Sequence, residues 1–282
     1  MSTSAADRFR YDGKRVLVVG GATGMGAAAA QTVIDLGAET IVLDHAPVTY
    51  DGVKESIQVD LREKDAVDAA LAQVGGPVHA VFSAAGVADG TPGLMRINFI
   101  AHRHIVDSLI ASGALGRGGA VCFISSAAGL GWETELEVIT EFLGHDTYES
   151  AVEWIEREDN AWRDNYLWSK RVMLTYVARA AYPLIQKGIR INAICPGPTD
   201  TPLARANEDL WLGFGADWRE STGTEYGTPA EMGDTMCFLN SDAARGINGV
   251  NVIIDGGYMM SSLAGAFEPG VGVAQFLFGK LG

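Results

Sequence analysis

The sequence contains few cysteines, and their positions exclude two kinds of site. Its 282 residues include three cysteines, Cys122, Cys195 and Cys237. They are far apart and form no Cys-x-x-Cys pair, so neither a disulfide framework nor a zinc site is predicted. Two of them lie in apolar runs and are expected to be core residues. His102 and His104 are two residues apart and would point to different faces of a helix, so no metal site is predicted.

Basic residues and long apolar runs are also scarce. The chain has 21 Lys and Arg against 35 Asp and Glu, a formal net charge of −14. Nucleic acids and anionic membrane surfaces require a basic surface, so we expect neither as a partner. No stretch approaches the ~18 apolar residues of a membrane span, and "MSTSAADRFRYDGK" lacks the apolar centre of a signal peptide. We expect a soluble, cytoplasmic protein.

The distribution of hydrophobic residues, 48% of the chain, predicts an α/β fold. Short β-branched runs alternate with longer helical patterns, which is typical of a parallel sheet covered by helices on both faces. We therefore predict a Rossmann-type doubly wound parallel sheet in a single domain, residues 1–282. The predicted strands are "RVLVVG", "TIVLD", "SIQVD", "AVFSAAG", "AVCFISS", "RINAICPG" and "NVIID". The predicted helices begin near residue 64, span about 97–112 and 161–187, and begin at residue 229.

Three segments depart from this alternation. We predict an insertion at about 132–165, in which Asp146 could cap a helix, a substrate-loop region at about 200–227, and a C-terminal tail at 259–282. Phe276, Leu277 and Phe278 give the tail an apolar end. It could cross to a partner subunit or pack back on its own chain.

A glycine cluster follows the first predicted strand and opens a helix. Gly20, Gly21, Gly24 and Gly26 lie among seven residues. A glycine turn at a helix N-terminus presents free backbone N–H groups to a pyrophosphate and lets it approach closely. Asp44 ends the second strand 18 residues after Gly26, where a carboxylate can accept hydrogen bonds from both ribose hydroxyls and would repel a 2′-phosphate. NAD is therefore favoured over NADP.

From about Lys14 to Tyr258 the chain resembles the short-chain dehydrogenase/reductase family. The resemblance rests on an ordered series of motifs: the glycine turn, "SAAG" at 83–86, "RINF" at 96–99, "ISSAAG" at 124–129, Tyr166-x-x-x-Lys170, "PGPTDT" at 196–201 and "VIIDGG" at 252–257. The connection from Ser126 to Tyr166 is longer than in most members. In this it is similar to the bacterial 3α-hydroxysteroid dehydrogenase/carbonyl reductases, in which such an insertion interferes with helix pairing between subunits. A homo-oligomer, dimer or tetramer, is expected, with the common tetramer in doubt.

The resemblance implies a role for each matched residue. The catalytic residues would be Asn98, Ser126, Tyr166 and Lys170. The residues expected to bind the cofactor are Gly20, Thr23, Gly24, Met25, Gly26, Asp44, Asp60, Leu61, Ala84, Ala85, Gly86, Tyr166, Lys170, Pro196, Gly197, Thr199 and Thr201. Independently of the family, residues four apart share a helix face, and an ammonium beside a phenol favours the phenolate. Tyr166 would then act as general acid or base.

Aromatic residues near these positions suggest the substrate. Trp132, Trp211, Phe214 and Trp218 would roof the cleft, which suits a hydrophobic secondary alcohol or its ketone, of steroid, terpenoid or aryl type. They could equally be local core. An NAD-dependent alcohol dehydrogenase or ketone reductase is the favoured interpretation. A non-catalytic NAD(H)-binding sensor and an epimerase or dehydratase are the alternatives.

Overall fold

Within residues 4–280, which the computed structural model describes with all side chains except those at 209 and 210, seven parallel strands form one sheet in the order β3-β2-β1-β4-β5-β6-β7. Residues 1–3 and 281–282, the ends of the predicted domain and tail, lie outside this range. The strands are β1 (Arg15–Val19), β2 (Glu39–Asp44), β3 (Glu55–Gln58), β4 (Val78–Ser83), β5 (Leu115–Ile124), β6 (Arg190–Pro196) and β7 (Asn251–Ile254).

Helices cover both faces of the sheet. They are α1 (Gly24–Asp35), α2 (Lys64–Val74), α3 (Ala101–Ala111), α4 (Leu136–Leu143), α5 (Tyr148–Glu156), α6 (Tyr166–Gln186), α7 (Pro202–Arg205), α8 (Glu208–Trp211), α9 (Ala216–Thr222), α10 (Pro229–Asn240), α11 (Tyr258–Leu263) and α12 (Val271–Leu277). The Rossmann-type doubly wound fold predicted from the sequence is confirmed.

The apolar run of β1 shows why the strands read as continuous hydrophobic segments. Val16 and Val18 pack into the core layer that contains α1 and α10, whereas Leu17 and Val19 pack into the layer that contains α2, α3 and α6. Successive strand residues point to opposite faces, and both faces are buried. The chain leaves β1 for β2 on one side and returns to β4 on the other, so a crevice opens at the carboxyl end of β1.

The predicted helix over 161–187 begins later than expected. Residues 161–163 form a separate 3-10 turn, and α6 starts at Tyr166, because the Asn165 side chain caps it by accepting a hydrogen bond from the Trp168 amide. Asp164 is used elsewhere and accepts a hydrogen bond from the Met95 amide. The cap places Tyr166 on the first turn of α6. The predicted helix over 97–112 likewise begins with a π-helical turn, Arg96–Ile100, before α3.

The predicted insertion, 132–165, forms α4 and α5 and packs on α6. The indole of Trp154 stacks on that of Trp168, with centroids 5.6 Å apart and an interplanar angle of 10°. Phe142 lies 5.1 Å from both rings. The cap predicted at Asp146 is wrong by one residue: Thr147 caps α5 and exchanges hydrogen bonds with Ser150. The segment is therefore an integral layer over the outer side of α6.

Candidate active site

The glycine turn folds tightly between β1 and α1. Gly20 has φ +85°, and a Cβ there would lie 2.2 Å from the Ala85 amide nitrogen. A Cβ on Gly26 would lie 1.9 Å from the Gly20 carbonyl oxygen. Thr23 caps α1 by backbone position without a side-chain cap hydrogen bond to any described residue. The first N–H groups of α1 are therefore left for another acceptor, as helix geometry requires.

A cavity of about 360 Å³ opens in front of this turn. The predicted cofactor residues that line it are Gly20, Thr23, Gly24, Met25, Gly26, Asp44, Asp60, Leu61, Ala84, Ala85, Gly86 and Thr201. They come from the carboxyl ends of β1, β2 and β4, from the start of α1, from the segment after β3 and, for Thr201, from the segment between β6 and α7. The structure brings together residues that the sequence separates by as much as 181 positions, from Gly20 to Thr201.

The Asp44 carboxylate lines this first cavity and is held by two backbone amides. One carboxylate oxygen accepts a hydrogen bond from the Ala22 amide and the other from the Ala46 amide, each at 2.8 Å. Both oxygens have a second lone pair that could accept from a ligand hydroxyl. The position of the carboxylate is therefore set by the chain itself.

Two residues of this region were missed from the sequence. Arg62 lines the cavity and pairs with Asp60 at 2.6 Å, and its guanidinium holds the pKa of the Asp60 carboxyl at about 2. Tyr148, from the insertion, places its hydroxyl 2.9 Å and 2.8 Å from the carbonyl oxygens of Leu61 and Arg62. The spacing of Asp60 and Arg62, two residues apart, could have pointed to Arg62. The contact of Tyr148 joins segments that are distant in the sequence, so no local pattern predicts it.

A second cavity, of about 450 Å³, adjoins the first and shares with it Met25, Ala84, Gly86, Thr201 and Leu203. The predicted residues that line it are Ser126, Tyr166, Lys170, Pro196, Gly197, Thr199, Trp211 and Phe214. Three of the four predicted catalytic residues therefore meet in one cavity.

Lys170 is buried and Tyr166 is half-buried, and desolvation shifts the pKa of each side chain towards its neutral form. Burial raises the pKa of Tyr166 to about 12; a hydrogen bond with Ser126 acts in the opposite direction and the charge of Asp89 in the same one. Burial lowers the pKa of Lys170 to about 8. The ammonium nitrogen lies 5.3 Å from the centroid of the Tyr166 ring and donates to the Ile124 carbonyl at 3.0 Å. Desolvation is therefore the largest influence on the pKa of Tyr166 in this arrangement.

Asn98 lies behind the cavity lining, in the π-helical turn. Its amide oxygen accepts from the Val87 amide at 2.8 Å, and its nitrogen donates to the Val87 carbonyl and, at 3.3 Å, to the Ser169 hydroxyl. A Cβ added at Gly86 would lie 3.6 Å from the amide oxygen of Asn98 and 3.7 Å from the ammonium nitrogen of Lys170. Asn98 thus fixes Val87, which lines the first cavity and follows Gly86, a residue that lines both cavities.

The predicted aromatic roof is present in part. The Trp211 ring lies against that of Tyr166, with centroids 4.8 Å apart, and Phe214 also lines the second cavity. Trp218 packs against Tyr258 and Phe267 instead, and Trp132 packs against the core layer that contains α2, α3 and α6. The aromatic residues of the substrate-loop region therefore divide between cavity and core.

The C-terminal tail packs on its own chain and reaches the second cavity. Val273, Phe276 and Leu277 of α12 line it, together with Asp89 from the segment after β4. The sequence left open whether the tail packs on its own chain or on a partner subunit, and in the single chain its described part, 259–280, packs on its own chain. The apolar residues of the tail indicated that it would be packed against another surface, but they did not indicate that this surface is the second cavity.

Two general features of the described chain bear on function. Over residues 4–280, no helix is long and apolar enough to cross a membrane. In the same range, His, Cys, Asp and Glu side chains form no cluster of three or more that could hold a metal ion. Cys122, Cys195 and Cys237 are all free and buried, which confirms the core position predicted for two of them.

Comparison with known families matches most of the chain to two family models. The model described as short chain dehydrogenase matches residues 14–135, and the model described as enoyl-(acyl carrier protein) reductase matches residues 156–259. The residues between the two matches fall within the predicted insertion.

Relatives and solved structures agree with these matches. The chain is 25% identical over 253 residues to a coniferyl-alcohol dehydrogenase of Pseudomonas sp., covering 86% of this chain and 96% of the relative. It is 25% identical over 248 residues to the 3-alpha-hydroxysteroid dehydrogenase/carbonyl reductase of Comamonas testosteroni, covering 86% and 95%. The ligand-free aldohexose dehydrogenase of Thermoplasma acidophilum superposes with a TM-score of 0.67 at 21% identity, covering 89% and 95%. With its ordered motifs and its sheet topology, this chain belongs to the short-chain dehydrogenase/reductase family of oxidoreductases.

Proposed function

We propose that this protein is an NAD-dependent oxidoreductase that interconverts a hydrophobic secondary alcohol and its ketone, with Tyr166 as general acid and base. One observation carries the proposal: Ser126, Tyr166 and Lys170 line a single cavity, which adjoins the cavity in front of the glycine turn. A substrate oxygen at Ser126 and Tyr166 would therefore lie beside the end of a dinucleotide bound along the first cavity.

The chain's own residues fit a dinucleotide. The first turn of α1, where the Thr23 side chain makes no cap hydrogen bond to a described residue, offers N–H groups and a partial positive charge to a pyrophosphate. Asp44 also lines the first cavity, where its carboxylate would accept hydrogen bonds from both ribose hydroxyls and repel a 2′-phosphate. This supports NAD rather than NADP.

Proton transfer is the task of Tyr166 and its neighbours. When bound, the cofactor would supply or accept the hydride, and its oxidised, positively charged ring would favour the phenolate. The neutral hydroxyl of Tyr166 is suited to donate a proton to a ketone oxygen, and the phenolate to accept one from an alcohol. Ser126 would hydrogen-bond the same substrate oxygen and hold it in reach.

The walls of the second cavity support an apolar substrate. Leu167, Trp211, Phe214 and Phe276 line it, and its lining includes Asp89 as the only carboxylate among the described side chains. A carboxylate at this position disfavours anionic substrates. The names of two relatives specify coniferyl alcohol, a bulky primary alcohol, and 3-alpha-hydroxysteroids, which are bulky secondary alcohols; the second agrees with the proposed class.

The proposal is tested by steady-state assays of the purified protein. Cyclic, terpenoid, steroid and aryl secondary alcohols are offered with NAD and, separately, with NADP, and the corresponding ketones with the reduced cofactors. We expect reduction of NAD by at least one neutral alcohol, with NADP used less efficiently. A chain that binds NAD but turns over none of these compounds would act instead as a sensor. Tightly bound, non-exchanging NAD would indicate an epimerase or dehydratase.

A further inference from the structure

The last helix of the chain forms a wall of the second cavity. Val273, Phe276 and Leu277 of α12 line it together with residues of β6 and α6. Leu277 is buried, but the side chain of Phe276 is 58% exposed although it borders a cavity. An apolar ligand in the cavity would cover this ring and remove apolar surface from water.

Helix α12 is held in place by the loop that follows Ser126. Gly131 has φ +75°, and a Cβ there would lie 1.8 Å from the Leu277 carbonyl oxygen. A Cβ on Gly279 would lie 2.4 Å from the Thr134 side chain. The close backbone approach shows that residues 131–134 and the end of α12 are fitted to each other.

A buried ion pair joins this contact to the catalytic helix. Arg171 follows Lys170 on α6 and donates to the Leu277 carbonyl oxygen at 3.1 Å. Its other terminal nitrogen pairs with Glu135 at 2.5 Å, and the two side chains are only 11% and 23% exposed. In this position one guanidinium donates to the Glu135 carboxylate and to the backbone carbonyl at the end of α12 at the same time. The helix that carries Tyr166 therefore also fixes α12.

We propose that Phe276 is a specificity-determining residue that contacts the part of the substrate farthest from its reacting carbon. Arg171, held by Glu135, is the positioning residue that sets the place of this wall. The inference rests on the proposed function for the identity of the substrate as a neutral, apolar alcohol or ketone. A ligand large enough to reach α12 gains the contact, whereas a single small ring at Ser126 and Tyr166 does not.

Ligand binding tests the wall separately from turnover. Calorimetry measures the Kd of decalone, a bicyclic ketone, and of cyclohexanone, with and without NAD. We expect Phe276→Ala to weaken decalone binding roughly tenfold, because a bulky ligand loses the apolar contact, and to change cyclohexanone binding less than twofold. Phe278→Ala is the matched control, since it removes the same side chain two residues on, outside the cavity lining.

The positioning role is tested with Glu135→Gln, which removes one charge of the pair and keeps its size. We expect faster amide exchange in residues 271–278 and weaker decalone binding, with cyclohexanone binding retained. Equal effects of Phe276→Ala on both ketones, no effect on either, or no decalone binding by the unmodified protein would overturn the inference. Failure of the proposed function would show differently: binding would follow this pattern while no alcohol reduced NAD.

Discussion

The hydroxyl of Tyr148 lies 2.9 Å from the carbonyl oxygen of Leu61, so the inserted segment supports a part of the lining of the first cavity. Leu61 and the neighbouring Arg62 belong to the segment after β3 that lines this cavity. Burial raises the pKa of Tyr148 to about 12, so the hydroxyl remains a donor at every physiological pH. The insertion thus contacts the first cavity through Tyr148 and continues into α6, which lines the second.

Removing the Tyr148 hydroxyl should weaken the hold on Leu61 and Arg62, which line the first cavity. We expect Tyr148→Phe to lower the free energy of unfolding by about 1 kcal/mol, the usual loss for one buried hydrogen bond. It should also raise KM for NAD several-fold with little change in kcat. Denaturant unfolding and steady-state kinetics measure the two effects. Tyr182→Phe is the control, because Tyr182 is 71% exposed. A change in kcat with unchanged KM would contradict this role.

Asp44 should set the cofactor preference. Hydrogen bonds to a charged acceptor contribute about 1.5–3 kcal/mol, so Asp44→Ala should weaken NAD binding roughly 10- to 100-fold. NADP binding should fall less or improve, because the repulsion of a 2′-phosphate is removed. Calorimetric Kd values for both cofactors measure the change, and Asp51→Ala, on the exposed loop after β2, is the control. Equal losses for NAD and NADP would refute the assignment.

The contact between Gly131 and Leu277 predicts a difference between two glycine substitutions. Gly113 and Gly131 have nearly the same positive φ, +76° and +75°, but a Cβ at Gly113 meets nothing within 4 Å among the described residues. Gly113→Ala should therefore lower the free energy of unfolding only by the strain of a left-handed backbone conformation, about 1–2 kcal/mol. Gly131→Ala should cost clearly more, since it also displaces the Leu277 carbonyl. Equal unfolding free energies for the two variants would show that the end of α12 yields easily.

Lys170 should make stability depend on pH in a defined window. Its pKa is about 8 in the folded protein and 10.5 without the fold, because burial disfavours the ammonium. Below pH 8 the Lys170 amine is protonated in both the folded and the unfolded chain, so the free-energy cost of burying its charge is constant. Between these values the unfolded chain binds more protons, so stability rises with pH, by at most about 1.4 kcal/mol per unit.

The comparison with Lys170→Met isolates this effect. The variant should lack the rise, so the unfolding free energy of the unmodified protein should increase relative to that of Lys170→Met from pH 8 to 10. Above pH 10 the raised pKa of Tyr166 acts in the opposite direction, so the window ends there. A constant difference across the window would mean that Lys170 keeps its ordinary pKa.

The sequence predicted the sheet and the first cavity well because their signals are local. A strand, a glycine turn and a helix N-terminus follow each other within residues 15–35, and Asp44 ends the next strand. Parallel strands then bring Gly20, Asp44 and Gly86 to one edge without further information. The start of α6 was misjudged, because whether Asn165 or an earlier residue caps the helix depends on the contact of Asp164 with Met95.

The second cavity was predicted only in part, because its far wall comes from distant segments. Leu277 meets Gly131 and Arg171 across more than one hundred residues of chain, and no periodicity or spacing encodes such a contact. The same holds for Trp211 and Trp218, two similar side chains seven residues apart. One lies on the Tyr166 ring and the other in an aromatic cluster around Tyr258.

The most direct test of the account compares the unmodified protein with Tyr166→Phe, which keeps the ring and removes only the hydroxyl. Turnover of the best alcohol and the Kd for NAD are measured on the same preparations. Loss of a general acid and base should lower kcat by at least about 100-fold and leave the Kd within twofold. Turnover that survives in Tyr166→Phe, with NAD bound normally, would contradict the central claim.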